Sequence, residues 1–155
     1  MQISARVDYA LRAMTELAVV WLEDPARLVK GDALASQQEI PARFLEGILG
    51  QLRKAGLVVS QRGADGGYRL SIPPDEITVA DVMRVLDGPL GAVRSDAPED
   101  TVYTGPAEHL RTVWVATRAA LRSVLESMTL ADVVAGRTTA EVDALLSTPG
   151  AWDRR

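Results

Sequence analysis

The sequence predicts a mainly α-helical protein with one small β-hairpin and a long helix set apart towards the C-terminus. Three observations carry that expectation. Apolar residues recur at three- and four-residue spacing in several segments. Two β-rich runs, 57–62 and 68–71, flank a glycine-rich tip at 63–67. The 155 residues include no cysteine, which removes disulfides, thiol catalysis and Cys-ligated metal from consideration. No apolar run approaches the ~20 residues of a membrane span, and no basic-then-apolar leader opens the chain, so a cytoplasmic location is expected.

Each element has its own signal. Val7, Ala10, Leu11, Met14, Leu17, Ala18 and Trp21 form a helix stripe over 3–22, which Pro25 ends. A short helix is expected from Gly31 to Gln37 with Leu34 and Ala35 inward. Pro41 suits the first turn of a third helix, whose stripe is Phe44, Leu45, Ile48, Leu49 and Leu52, with Gly56 as its left-handed terminus. The hairpin follows over 57–71 and stops at Pro73-Pro74. Thr78 can cap a helix through Val79, Val82, Met83 and Leu86, closed by Gly88-Pro89.

Residues 89–105 lack periodicity and read as a loop. Pro106 is expected to open the longest helix, roughly six turns and ~33 Å long. Its apolar face is Leu110, Val113, Trp114, Thr117, Leu121, Val124, Leu125 and Met128. Thr129 caps a short helix over 130–134, and Thr139 another within a C-terminal tail of 136–155. The division is therefore a unit of helices and hairpin over 1–88, a loop over 89–105, a helical dimerisation unit over 106–135, and the tail.

Charge narrows the function. The chain carries −4 overall, yet residues 43–69 hold Arg43, Arg53, Lys54, Arg62 and Arg69 against Glu46 and Asp65. That window is +3, leaving −7 elsewhere. A basic face on an acidic body can still reach phosphates.

The order helix, short helix, turn, helix, hairpin is that of a winged helix–turn–helix. In it the third helix turns Ala42, Arg43, Glu46, Gly47, Gly50 and Gln51 outward, a small polar face that a major groove can approach closely. Arg43 and Glu46 would meet base edges, Glu46 accepting from cytosine N4. The same two residues also suit a plain intrahelical pair. Arg62 at the hairpin tip, with Gly63, Gly66 and Gly67, lets backbone lie near the sugar–phosphate chain. Gln38, Pro41, Gln51 and Arg53 complete the candidate DNA-binding set. For Gln38 and Gln51 plain surface is the alternative reading; for Arg53 and Lys54 it is a favourable helix-end charge.

Nothing in the chain resembles an enzyme site: there is one histidine, no phosphate loop and no His-plus-carboxylate signature. His109 with Asp96, Glu99, Asp100 and Glu108 is compatible with an oxygen-rich metal site or with an acidic helix start. No metal and no cofactor is expected.

These residues resemble a known family. The run Phe44-Leu45-Glu46, Leu52-Arg53-Lys54-Ala55-Gly56-Leu57-Val58 and Arg62-Gly63-Ala64-Asp65-Gly66-Gly67-Tyr68-Arg69-Leu70 resembles the Rrf2 (BadM/IscR-type) bacterial winged-helix transcription regulators. The likeness reaches back to Ile3-Ser4 and Asp8-Tyr9-Ala10-Leu11-Arg12-Ala13-Met14. It reaches forward through Ile77-Thr78-Val79-Ala80-Asp81-Val82 and Leu86-Asp87-Gly88 to Trp114 and Thr129-Leu130-Ala131-Asp132-Val133. The resemblance implies homodimers, a long dimerisation helix and dyad-symmetric promoter DNA. Many members carry three cysteines that hold an iron–sulfur cluster before the long helix, and some lend a carboxylate at the position of Asp8. Here Gly88 to Leu110 has no cysteine, and carboxylates alone do not hold soft iron–sulfide. The expected protein is a homodimeric, cluster-free DNA-binding regulator, a repressor, with a small-molecule effector or partner protein as its input. The alternative is an interaction module derived from such a regulator that has lost DNA binding.

Overall fold

The computed structural model describes residues 2–154. In chain order it has α1 (Ala5–Glu23), α2 (Gly31–Gln37), α3 (Ala42–Lys54), β1 (Val58–Gln61), β2 (Gly67–Leu70), α4 (Val79–Asp87), α5 (Leu110–Leu125), α6 (Leu130–Ala135) and α7 (Ala140–Leu146). This is the expected winged helix–turn–helix, mainly α with one hairpin. Among the described residues no helix is long and apolar enough to cross a membrane.

The Ser4 hydroxyl accepts from Val7 N–H and starts α1, whose buried face is Val7, Ala10, Ala13, Met14, Leu17 and Ala18. Small residues on that face let α2, α3, α4 and β2 close around one helix. Leu34 of α2, with Leu45, Ile48, Leu49 and Leu52 of α3, completes the core beneath the recognition unit. The turn between α2 and α3 places Glu39 at φ 53, a left-handed conformation, and sends Ile40 into the core. Phe44 departs from the expected stripe. It is 45 % exposed and meets Tyr9 edge-on, ring centroids 5.7 Å apart.

The wing pairs Val58 with Leu70 and Gln61 with Gly67 in antiparallel register. Val29 bridges to Tyr68 on its other edge. Two capping boxes face each other beyond the wing: Thr78 with Asp81 starts α4, and Thr129 with Asp132 starts α6. The two threonines form a backbone bridge, with Val79 N–H donating to Met128 O and Leu130 N–H to Ile77 O, both at 2.9 Å. That bridge returns the chain to the first unit. Leu130 is fully buried in the core and α6 lies against α1, although the sequence groups it with the long helix.

The long helix is shorter than its apolar stripe. Pro106 sits in a 3-10 turn, Gly105–Ala107, where bonding runs three residues ahead, and α5 begins only at Leu110. At the other end Met128 leaves the helix to accept the bond from Val79. The 16 residues of α5 span ~24 Å rather than ~33 Å, and α1, with 19, is the longer helix. Loop 88–109 is docked on α5. Glu99 pairs with Arg118 at 2.5 Å, and Trp114 Nε1 donates to Tyr103 Oη at 3.0 Å.

Candidate nucleic-acid interface

The residues nominated from sequence fall into three groups. Ala42, Arg43, Glu46, Arg53, Arg62, Gly63, Gly66 and Gly67 line a single open groove of about 920 Å³ between α3 and the wing. Pro41, Gly47, Gln38 and Gln51 are not part of its wall. Pro41 is the exposed N-cap of α3, and Gly47 is exposed with free space where a side chain would stand.

The two glutamines are fasteners. Gln38 Oε1 accepts from Arg12 Nε at 3.1 Å, its carbonyl accepts from the same guanidinium, and its amide donates to Glu16. Gln51 Oε1 accepts from Arg6. Both side chains therefore bind α1 to the helix–turn–helix rather than standing free on its outer face. Arg12 also lies over the Tyr9 ring, 5.5 Å from its centroid.

The groove is electropositive at its rim. Lys30, Arg43, Arg53 and Arg62 face it, against Asp32 and Glu46. Arg53 donates to Ser60 Oγ at 3.2 Å, which ties the end of α3 to β1. Arg43 and Glu46 are both exposed and form no ion pair with one another, so the intrahelical alternative is not realised.

Wing glycines serve the fold before any ligand. A methyl at Gly66 would overlap the Gln61 carbonyl, and one at Gly67 would overlap the backbone of Val29. The sequence assigned both to close approach of DNA; the structure gives them a requirement within the chain itself. Gly63, at φ +107, keeps the conformational role expected of the tip.

Lys30 was missed. Its position in the sequence, one lysine before a short helix, carries no signal of its own. The Val29–Tyr68 bridge brings it to the groove. On α5 the expected stripe divides: Leu110, Val113 and Thr117 are exposed, whereas Trp114, Leu121, Val124 and Leu125 are half-buried. Trp114, Thr117 and Leu121 line an apolar pocket with Met83 and Leu90, and Leu125 lies against the core. Among the described residues no three of His, Cys, Asp and Glu group to hold a metal ion. Glu99 is committed to Arg118, Asp8 lies 3.5 Å from Arg12, and His109 Nε2 lies 3.3 Å from Glu108.

A cationic groove walled by an exposed helix and a glycine-tipped hairpin, on a helix–turn–helix body, defines a winged-helix DNA-binding transcription regulator. The chain belongs to the Rrf2 family, described as iron-dependent transcriptional regulators, which it matches over residues 3–136. It is 49 % identical over 136 residues to Rv1287 of Mycobacterium tuberculosis, named as an HTH-type transcriptional regulator, covering 88 % of this chain and 83 % of that protein. It is 39 % identical over 146 residues to the HTH-type transcriptional regulator CymR of Bacillus subtilis, covering 94 % and 98 %. The structure of CymR, the global cysteine regulator of that organism, superposes with TM-score 0.71 at 36 % identity over 88 % of this chain and 98 % of CymR. The IscR structure from T. potens gives 0.70 at 32 % identity over 88 % of each chain.

Proposed function

We propose that this regulator is a homodimeric repressor that reads a pseudo-palindromic operator and does so without an iron–sulfur cluster. The observation that carries the reading is the groove between α3 and the wing, with four cations on its rim. In this reading α3 enters the major groove, Arg43 and Glu46 meet base edges, and Arg53, Arg62 and Lys30 hold the flanking backbone. Gln38 and Gln51 act behind that surface by fixing the pose of α3. Occupying the promoter in this way excludes polymerase, hence repression.

The dimer rests on α5. No residue of α5 is buried, and its outward face carries Leu110, Val113, Ala116 and Ala120 at three- and four-residue spacing. Small side chains there let a second helix approach closely. A two-fold dimer would present two recognition helices to successive major grooves, roughly 34 Å apart.

The family description names iron, and the donor set of this chain does not fit an iron–sulfur cluster. Thiolates are the ligands such a cluster needs, and the sequence has none. Within that segment Glu99 is engaged by Arg118 and Glu108 lies beside His109. Regulation therefore acts through loop 88–109, a small molecule or a partner protein.

Footprinting of the purified protein on the promoter upstream of its own gene tests the reading. Two protected half-sites one helical turn apart are expected. A single short footprint, or none at micromolar protein, would refute it.

A further inference from the structure

Away from the DNA-facing groove, the turn that leaves α4 opens a second cleft. Its wall is Arg84 of α4, the turn Gly88-Pro89-Leu90, and Arg118 and Arg122 on α5, and it encloses about 450 Å³. Among the described residues three guanidiniums line it and no carboxylate does. The acids that neutralise them lie outside the wall: Asp81 is 3.5 Å from Arg84, Glu126 bonds Arg84 and Arg122, and Glu99 bonds Arg118.

Those pairs leave donors over. Glu126 takes Nε of Arg122 at 2.8 Å, and neither Nη of Arg122 has a partner among the described residues. Arg118 spends Nη1 on Glu99 and keeps Nη2. Its side chain is only 20 % exposed, so the fork is held in place. Gly91, at φ +65, lets the turn close directly onto the Arg118 stem. The floor beside these forks is apolar, Pro89 with buried Leu90.

We propose that this cleft binds a small organic anion, a carboxylate or phosphate ester with a short apolar skeleton. Guanidinium forks match both oxyanions through paired charge-assisted hydrogen bonds, and the volume suits a small ligand. An anion drawn at once to Arg84 and to Arg118 or Arg122 fixes α4 against α5. Because α4 lies against α3, occupancy then sets the pose of the recognition helix. This last consequence rests on the regulator reading above.

The test is calorimetry on the full chain with succinate, inorganic phosphate and the neutral succinamide at constant ionic strength. One saturable site per chain is expected for an anion and none for succinamide. Whichever anion binds more tightly names the source, carboxylate or phosphate. Arg122→Gln, which leaves the Arg84–Glu126 pair in place, should weaken binding about tenfold or more. Arg122→Lys keeps the charge and should retain part of the affinity. Equal heats for the anions and succinamide, or wild-type affinity in a folded Arg122→Gln, would overturn the site. DNA affinity is measured on the same samples. A saturable site that leaves it unchanged upholds the site and overturns its coupling. Absence of DNA binding in anion-free protein would count against the regulator reading, while the calorimetry still decides the site.

Discussion

Val29 and Tyr68 exchange both backbone hydrogen bonds, each 2.8 Å long, so a single-residue bridge pins the segment after α1 to the outer edge of the wing. This pairing joins the hairpin to the start of α2, seats Gly31 beneath the Tyr68 ring and carries Lys30 to the groove. It also explains why residue 67 is glycine.

Gly67→Ala should detach the wing. The added methyl meets Val29 backbone, which cannot yield as a side chain tip would. A loss of about 1–3 kcal/mol in thermal or urea unfolding is expected, with weaker DNA binding. Unchanged stability would show that the Val29–Tyr68 bridge gives way freely.

Arg62→Ala and Lys30→Ala should weaken binding to all sequences alike and reduce the salt slope by about one each. Arg43→Ala and Glu46→Ala should instead relax preference at particular base pairs, costing about 1–3 kcal/mol against the best site. Titrations over an operator library at several salt concentrations separate the two behaviours. A uniform loss in the α3 variants would mean that α3 reads no bases.

Ala120→Glu places a charge on the outward face of α5, distant from the groove. The dimer is expected to dissociate into folded monomers by sedimentation, with operator affinity falling through loss of the second half-site. A dimer of wild-type stability would move the seam elsewhere.

Anaerobic purification with iron and sulfide should yield no stoichiometric visible chromophore and no change in operator affinity. The motive is the lack of any thiolate in the sequence. A cluster that alters DNA binding would overturn the cluster-free reading.

Acid should loosen the α4–α5 junction. Hydrogen bonds from Arg122 and then Arg84 hold the Glu126 carboxyl below its ordinary value of 4.5, and Arg118 does the same for Glu99. A depressed folded pKa contributes stability above the unfolded value, and that contribution is lost as pH falls through the folded one. Melting temperature should therefore drop below about pH 4.5, and Glu126→Gln should flatten part of that drop. Both groups are exposed, so the effect is small; identical pH profiles would show that the pairs are fully screened.

Local patterns in the sequence determined the helices, the hairpin and their order. The stripes of α1 and α3, the Thr78 and Thr129 caps and the 63–67 tip are short-range signals. The resemblance to a regulator family was legible for the same reason, since its motifs lie within contiguous runs. Packing across the chain decided the rest. Gln38 and Gln51 read as DNA contacts or plain surface, yet Arg6 and Arg12 lie on α1, some 26 to 45 residues away, and claim both amides. Phe44 fits an apolar stripe by period, but Tyr9 meets it at the edge of the domain. The stripe continues in sequence to Met128, but α5 ends at Leu125 and the Met128 carbonyl accepts from Val79 N–H instead. Lys30 joins the groove only through a strand contact made by its neighbour. Periodicity reports which face of an element is apolar; what that face meets is set by long-range contacts, and no local spacing encodes them.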